Sequence, residues 1–311
     1  MNYFKATAVS MLTLGLMACG GGDDSNTSNF GQSGNLQLSV TDAPMDGAEA
    51  VTITFSQVTV KPVNGNPVEL TDLEKTSLNL LNYTGGDSEL LINTSDNNSH
   101  NPALPAGDYE WMRFHISEAT ITLNGQVYEL EVPSGDTSGL KLNRPFTIPA
   151  NDIGFYTIDF DLRHSVIGPF TKHGEQYYKL KPVLRLVENE EVGKIKGVID
   201  GNLLTDCSDA AVYLFEDHID AEDMDDVDFD ALEDSMDDHD DMEPVMSISL
   251  SSWTGGDAVY SFGFVEQGEY TVALACGNDD PDYDDDDDLH FFDAVPVEVS
   301  AQEIVNVSFN L

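Results

Sequence analysis

The fold is decided by residues 109–132, which read YEWMRFHISEATITLNGQVYELEV. Asn124-Gly125 separates two runs that are rich in β-branched and aromatic residues, and this dipeptide favours the tight turn of a β-hairpin. Around the turn, the pattern predicts strands at Tyr109–Ile116, Thr120–Leu123 and Gln126–Val132. We therefore expect this part of the chain to form a sheet.

The same period of two recurs before and after this stretch. Apolar residues alternate at Leu36, Leu38 and Val40, and beyond Phe55 the alternation shifts by one at Val58, as a β-bulge requires. Helical periodicity is scarce, although a short helix fits Leu73–Tyr83. The pattern predicts an all-β fold with two β-sandwich domains of immunoglobulin- or transthyretin-like type. Further strands are predicted at Phe155–Leu162, Tyr177–Val187, Lys194–Ile199, Ala210–Phe215, Val245–Leu250, Ala258–Val265, Tyr270–Cys276 and Val295–Leu311, the last with a break near Ser300.

The N-terminus has the pattern of an export signal. The apolar run Ala6–Met17 is about as long as the core of a signal peptide, whereas a membrane-spanning helix needs about 20 residues. Leu16-Met17-Ala18 leads into Cys19, which resembles the lipobox of bacterial lipoproteins, whose cysteine becomes the lipidated first residue. We expect a lipoprotein signal peptide at 1–18 and a flexible tether at 19–33. An ordinary signal peptide with a chance cysteine is the alternative.

The lipobox resemblance also implies a location. More than one acyl chain gives stable membrane anchoring. Gly20 stands where the lipoproteins that stay in the inner membrane carry Asp. The resemblance therefore implies a palmitate-type lipid anchor in the outer membrane, on either its periplasmic or its cell-surface face.

Charge is distributed unevenly along the chain. The 57 acidic and 13 basic side chains give a net charge of −44. Residues 1–196 hold 24 of the acids and every base, whereas residues 197–311 hold 33 acids and no base. Phosphate binding depends on cationic neutralisation, so the composition excludes nucleic acid as a partner of the chain as a whole. We expect neutral or cationic partners.

Two acidic runs lie between predicted strands of a domain expected at 193–311, after a first domain at 34–190. Residues 216–243 hold 16 Asp or Glu, and residues 279–288 hold eight Asp. Such loops offer the oxygen ligands that Ca²⁺ prefers, but Ala231 stands where an EF-hand needs Gly, so only weak, multi-site binding is expected. Plain solvated charge is the alternative, and a transition-metal site with His218, His239 or His290 is less favoured. The candidate metal ligands are Asp226, Asp228, Asp230, Asp284, Asp286 and Asp288.

The cysteines agree with export. Apart from Cys19, the chain has Cys207 and Cys276, which are expected to pair in an oxidising compartment. The bond would close a loop of about 70 residues, worth roughly 3–4 kcal/mol in the chain-entropy model. Two free buried thiols are the alternative.

Several motifs occur in a familiar order. They are Thr41-Asp42-Ala43-Pro44, Pro133-Ser134-Gly135, Gly139-Leu140-Lys141-Leu142, Asp159-Phe160-Asp161 and Leu180-Lys181-Pro182-Val183. Together they resemble the bacterial lipoprotein family known as domain of unknown function 4382, over residues 34–188. The resemblance implies a β-rich exported domain without an assigned activity.

The C-terminal part resembles a transthyretin-like, carboxypeptidase-regulatory type sandwich. The resemblance is carried by Gly197-Val198-Ile199, Ala211-Val212-Tyr213-Leu214, Tyr260-Ser261-Phe262 and Gly268-Glu269-Tyr270-Thr271-Val272. The acidic runs depart from that pattern. Gly268-Glu269-Tyr270 also repeats the way in which Gly107-Asp108-Tyr109 opens a strand.

A candidate ligand or cation site contains Asp42, Asp159 and Asp161. In a strand, Asp159 and Asp161 share one face with Arg163, which offers a compensating charge. The alternatives are a solvent-facing ion pair, a cation or ligand site that recruits Asp42, and, less favoured, acid–base catalysis. Asp42 by itself would also suit an Asx-turn.

Enzyme signatures are missing from the sequence, which has no GxSxG, HExxH, SxxK, phosphate loop or dinucleotide fingerprint. Core packing explains the aromatic residues, among them Trp111 and Trp253, better than a sugar-stacking platform does. We therefore expect a non-enzymatic envelope lipoprotein that acts as an interaction or structural module, without catalytic residues and with acidic loops that bind Ca²⁺. A carbohydrate- or protein-binding accessory module, in which acidity serves only solubility, is the alternative. A hydrolase built on Asp42, Asp159 and Asp161 is the most distant one.

Overall fold

The computed structural model describes residues 31–42, 47–132, 139–162, 165–181, 183–205, 207, 210–224, 242, 244–250, 253–277 and 289–310. Among them the chain is built of strands, with two single-turn 3₁₀ segments and no α-helix, which confirms the all-β class. None of the described segments is a helix long and apolar enough to cross a membrane.

The strands of the first unit lie between residues 33 and 188. In chain order they are β1 (Ser33–Asp42), β2 (Ala48–Pro62), β3 (Val68–Leu70), β4 (Ser77–Asn79), β5 (Glu89–Asn93), β6 (Leu104–Pro105), β7 (Gly107–Leu123), β8 (Gln126–Glu131), β9 (Leu140–Leu142), β10 (Phe146–Ile148), β11 (Ile153–Phe160), β12 (Val166–Lys172), β13 (Glu175–Leu180) and β14 (Leu184–Glu188).

These strands form two sheets with a core between them. The five-stranded sheet has the order β14-β11-β1-β5 with β6 on β1, and the nine-stranded sheet has the order β12-β13-β8-β7-β2-β3 with three short strands on β2 and β7. Phe55 of the larger sheet contacts Phe160 of the smaller one edge to face, with ring centroids 6.2 Å apart. The buried alternating residues of both sheets belong to one hydrophobic cluster, as in a β-sandwich.

Local sequence signals are confirmed in this unit. Asn124 and Gly125 both have positive φ angles, 50° and 74°, which the hairpin turn between β7 and β8 needs. The register between β2 and β7 shifts beside Phe55, where the alternation of apolar residues changes phase. Two of the predicted strands, Tyr109–Ile116 and Thr120–Leu123, are parts of the single strand β7.

The predicted helix at Leu73–Tyr83 is wrong. The segment contains β4 and a 3₁₀ turn at Leu80–Asn82. Leu78 pairs with Ile53 of β2, and Leu80 is fully buried in the core. Pairing with a neighbouring strand therefore overrides the weak local preference for a helix.

The second unit lies between residues 192 and 310. Its strands are β15 (Val192–Ile199), β16 (Ala210–Glu216), β17 (Met246–Ser249), β18 (Ala258–Glu266), β19 (Gly268–Cys276), β20 (His290–Val299) and β21 (Ile304–Asn306), and a second 3₁₀ turn covers Ala221–Asp223. They form a three-stranded sheet, β18-β15-β21, and a four-stranded sheet, β17-β16-β19-β20. A second hydrophobic cluster packs between these sheets, so this unit is also sandwich-like. The gap between β20 and β21 confirms the break near Ser300.

The expected disulfide is present in the second unit. Cys207 and Cys276 are joined, with their Cα atoms 5.5 Å apart. Cys276 is the last residue of β19, and Cys207 precedes β16, the neighbouring strand. The bond therefore ties the loop before β16 to the end of the strand beside it.

The two units share a strand-opening motif. β7 starts at Gly107 and β19 starts at Gly268, as the sequence predicts. The Tyr109 hydroxyl donates to the Pro105 carbonyl at 2.8 Å, and the Tyr270 hydroxyl donates to the Glu266 carbonyl at 3.0 Å. In both units a buried tyrosine thus closes the chain onto the residue four positions earlier, in the manner of a tyrosine corner.

Candidate functional site

Asp159 lies in the middle of the five-stranded sheet. It belongs to β11, where it pairs with Thr41 of β1 on one side and with Arg185 of β14 on the other. Ile158 and Phe160 point into the sandwich core, so Asp159 points out of the opposite face of the sheet. This alternation is the one that the sequence predicts.

The cation that meets Asp159 is Arg185. An Arg185 Nη atom lies 2.6 Å from an Asp159 Oδ atom, and the Asp159 side chain is 9 % exposed. Burial raises the pKa of the Asp159 carboxyl, the Arg185 guanidinium opposes that rise, and nearby Asp161 adds to it. Arg163, which the sequence offers as a partner, is outside the described residues.

Asp42 lies at the end of β1, next to these residues. Its register partner on β11 is Phe160, its side chain is buried, and its backbone N–H donates to the Tyr83 carbonyl at 3.0 Å. The neighbouring Thr41 hydroxyl contacts the carbonyls of Tyr83 and Asp87, at 2.8 and 2.7 Å. The chain segment at 83–87 therefore folds over this end of the sheet.

The second unit covers the Asp159 face. Arg185 also contacts the Met246 sulfur of β17 at 3.7 Å, and the Ser261 hydroxyl donates to the Gly85 carbonyl at 3.1 Å. Between the units, a cavity of about 10 Å³ remains beside Thr41, Asp42 and Asp159. Such a volume holds about one water molecule.

The three candidate carboxylates do not form one accessible site. The structure brings Asp42 and Asp159 to one buried junction, and it places Asp161 just beyond the end of β11 at partial exposure. Asp159 does not lie on a solvent-exposed face, because β17 packs against it. A substrate would have to separate the two units before reaching its carboxylate.

A wider cleft of about 460 Å³ opens where the units meet on one side. Arg144 of the first unit and Glu266 of the second form an ion pair across it, at 2.5 Å. Its lining also includes Glu188 and Glu191, and the pKa of Glu188 is raised by burial and by the charge of Glu191. The cleft is therefore a polar groove with an excess of negative charge.

The six Asp residues predicted as metal ligands, at positions 226, 228, 230, 284, 286 and 288, lie outside the described residues, and so does His239. The roots of their loops are described. Residues 216–243 leave the four-stranded sheet at Glu216, whereas residues 279–288 leave it beside Cys276, which pairs with Ala210 at the opposite end of β16. Six residues of strand separate the two roots by about 20 Å. They therefore belong to different ends of the sheet.

The residues next to each acidic run pack on one aromatic cluster. Tyr213 and Phe215 project from the outer face of the four-stranded sheet, where Phe291 meets both rings edge to face at 5.4 and 5.7 Å. Met224 directly precedes residues 225–241 and Leu289 directly follows residues 279–288, and both join this cluster. The backbone N–H of Met242 donates to the Asp223 carbonyl at 2.8 Å, so the loop at 225–241 is closed at its base.

One aromatic residue that was predicted to pack in the core, Trp111, lies outside it. Trp111 is half-buried on the outer face of the nine-stranded sheet, with the Arg113 guanidinium 4.9 Å and the Lys141 ammonium 5.0 Å from its ring centroid. By contrast, Tyr109 and Tyr270 are buried as expected. Trp111, Arg113 and His115 alternate along β7, and this polar alternation is the signal that could have identified the face.

Within the described residues, no group of three or more His, Cys, Asp or Glu side chains is placed to hold a metal ion.

Comparisons with known proteins agree with the family resemblance over part of the chain. Residues 33–182 match a family model described as "Domain of unknown function (DUF4382)". No curated protein matches the chain.

Among solved structures, a putative adhesin from Bacteroides ovatus matches at 10% identity and a TM-score of 0.20, over 97% of this chain and 99% of that one. The minor pilin GBS52 from Streptococcus agalactiae matches at 10% identity and a TM-score of 0.19, over 88% of this chain and 94% of that one. A leucine-rich repeat protein from Bacteroides thetaiotaomicron matches at 12% and 0.18, over 90% of this chain but only 26% of its own. Scores this low do not extend the likeness to function.

Proposed function

We propose that this chain, whose residues 33–182 match the DUF4382 model, is a non-enzymatic envelope lipoprotein that acts as an interaction or structural module. The observation that carries the proposal is the burial of its candidate acid–base residues. Asp159 is ion-paired, covered by the second unit and next to a cavity of about 10 Å³, which gives a substrate no room. The carboxylates then stabilise the junction between two sandwiches.

A lipid anchor at Cys19 would hold this module at the outer membrane. The support is the order of apolar run, small residue and cysteine in the sequence, followed by the polar stretch 19–33. Two β-sandwich units on such a tether form a scaffold, and the outer face of its nine-stranded sheet, which the second unit does not cover, is the surface offered to partners. A transthyretin-like topology for the second unit remains part of this proposal.

The anchor is tested by replacing its acceptor thiol. Cys19→Ser is expected to abolish incorporation of radiolabelled palmitate in a bacterial host and to leave the protein out of the membrane fraction. Ser25→Ala is the matched control, because it changes a small residue of the tether just after the signal and leaves every cysteine in place. Continued labelling of Cys19→Ser would rule out the lipoprotein assignment.

The acidic runs are proposed to bind Ca²⁺-type cations weakly and at several points. The support is that Met224, which directly precedes residues 225–241, and Leu289, which directly follows residues 279–288, pack with the Tyr213–Phe215–Phe291 cluster of the four-stranded sheet. Adjacent ionised carboxylates repel one another, and a divalent cation relieves that repulsion.

Calcium is expected to raise the melting temperature of the mature protein, since a ligand at 100 times its dissociation constant stabilises by about 2.7 kcal/mol. Replacing residues 225–241 by a short Gly-Ser linker tests the first run, because its flanks are already joined through Asp223 and Met242. The linker variant should lose part of the calcium response, and Asp→Asn changes at 284, 286 and 288 should remove the rest. An unchanged melting curve of the mature protein in millimolar calcium would contradict cation binding.

The accessory-module alternative gains support from one observation, the half-buried Trp111 with Arg113 and the exposed Lys141 beside its ring. That surface lies on the first unit and does not depend on the acidic loops.

A further inference from the structure

We propose that the outer face of the nine-stranded sheet binds an acidic polysaccharide, one that carries carboxylate or sulfate groups. The proposal names a ligand class for the interaction role proposed above and rests on that role. It concerns the first unit alone, so it and the calcium proposal can fail separately.

The first argument is an uncompensated pair of cations. Arg113 of β7 and Lys141 of β9 are direct cross-strand partners, and like charges in this position destabilise a sheet. Neither forms an ion pair with any described residue, and Arg113 Nε is buried without a hydrogen bond. In a chain with 57 acids and 13 bases, such a pair would gain most from an external oxyanion.

Trp111 accounts for how the two cations stay together. Both lie about 5 Å from the centre of its ring, at distances where the aromatic quadrupole attracts a positive charge. The indole therefore offsets part of the repulsion and keeps both donors at one place. A planar guanidinium beside an ammonium suits a carboxylate or a sulfate.

A second cluster of the same composition lies on the same face. Phe170 of β12 and Tyr177 of β13 are cross-strand partners, with Lys179 4.6 Å from the Phe170 ring and Lys172 5.9 Å from the Tyr177 ring. In β13, Tyr178 and Leu180 face the core. Tyr177 and Lys179 alternate with them, so their side chains lie on the outer face.

The two clusters are far enough apart to require an extended ligand. Tyr177 aligns with Glu129 of β8, and Glu129 aligns with Thr120 of β7, seven residues from Arg113. Strand rise and strand spacing then separate the clusters by about 25 Å. Glu129 and Glu131 lie between them, so an anionic chain would make its contacts at the two ends.

The fold keeps this face away from the acidic half of the molecule. The second unit packs on the outer face of the five-stranded sheet, through Arg185 and Met246, so the first sandwich lies between that junction and the Trp111 face. The expectation of neutral or cationic partners, drawn from the total charge, stays a prediction for the chain as a whole, and the proposal makes this face a local exception to it.

The surroundings of Trp111 favour a hydroxyl-rich ligand. Thr59, which is buried beside the cluster, contacts His115 Nε2 at 3.1 Å and Gln57 Nε2 at 3.0 Å, so two partly exposed polar side chains, His115 and Gln57, are held on the same face. The two pockets described above both lie at the junction of the units, away from this face. An open polar face with two charged ends suits a polymer better than a small molecule, which would need a concave site.

The test uses the mature protein and three probes at 150 mM salt: dextran sulfate, polygalacturonate and uncharged dextran. Arg113→Gln/Lys141→Gln is expected to weaken binding to at least one of the two acidic polymers by tenfold or more. Lys75→Gln/Lys196→Gln removes two positive charges from other parts of the surface and should change the dissociation constant for the acidic polymers by less than twofold. In a Trp253→Phe background Trp111 is the one tryptophan left, and its fluorescence should respond to the acidic polymer but not to dextran.

Each result decides the proposal. Binding of only one acidic polymer identifies sulfate or carboxylate as the recognised group and supports it. Equal losses in both double variants would show unspecific attraction and overturn it. The proposal is also overturned if neither acidic polymer binds, or if duplex DNA binds as tightly as the acidic polymers do. Lys141→Gln alone, at an exposed position, replaces the double variant if that does not fold.

Discussion

Replacing Arg185 by methionine is expected to lower the free energy of unfolding by about 3–5 kcal/mol, because it leaves the carboxylate of Asp159 buried without its cation. The Asp159 side chain is 9 % exposed, so water cannot take over the role of the guanidinium. The loss is measured by urea denaturation followed through tryptophan fluorescence, since Trp253 packs on the second core and Trp111 lies on the first unit.

The chain supplies a matched control for this prediction. Lys75 and Glu89 form an ion pair of the same length, 2.6 Å, but their side chains are 48 % and 26 % exposed. Lys75→Met should therefore cost no more than about 1 kcal/mol. If Arg185→Met lowers the free energy of unfolding no more than Lys75→Met does, the Asp159–Arg185 ion pair does not stabilise the junction. That result would also weaken the argument against an accessible acid–base site at Asp159.

The loss in Arg185→Met is also expected to depend on pH. Without the guanidinium, burial raises the pKa of Asp159 further above its ordinary value of 3.8. Between 3.8 and that raised pKa, the folded variant binds a proton that the unfolded chain does not bind. The variant therefore gains stability as the pH falls through this window, so its deficit is largest at neutral pH. Asp159→Asn/Arg185→Met should lack this dependence.

Removing the Cys207–Cys276 bond is expected to destabilise the second unit by about 4 kcal/mol, since the bond closes a loop of sequence separation 69. Cys207→Ser/Cys276→Ser should therefore unfold at lower urea when followed through Trp253. The signal of Trp111 should shift much less, because the first unit has a hydrophobic core of its own.

The wild-type protein treated with dithiothreitol serves as the control, because it keeps both sulfur atoms and loses only the bond. Its Trp253 transition should coincide with that of the double variant. A shift of less than about 1 kcal/mol in both samples would mean that the core of the second unit holds without the bond.

Several parts of the fold could be read from local chemistry. Asn124-Gly125 predicted a hairpin because the turn needs two positive φ angles, and the structure has both. The phase change after Phe55 predicted a bulge, and the register shifts there. The segment Leu73–Tyr83 could not be assigned correctly, because its conformation follows from pairing with β2 rather than from its own residues.

The candidate site was predictable only in part. Alternation placed Asp159 opposite the core-facing Ile158 and Phe160, which is correct. Its partner Arg185 is 26 residues away and meets it through the register of β11 and β14, for which one sequence holds no signal. Trp111 was assigned to the core because aromatic residues in strands usually pack there. Regular alternation would put it on the core side with Tyr109, but the register between β2 and β7 shifts between these two residues and leaves Trp111 on the outer face.

The sequence by itself determined the long strands, the hairpin, the cysteine pair and the position of the acidic runs, because each depends on residues close together in the chain or on composition. Tertiary structure alone decided which outer sheet face a further layer covers. The second unit covers the outer face with Asp159 and leaves the outer face with Trp111 open. The reason is that alternation defines two faces for every strand, while the layer that covers a face comes from distant parts of the chain.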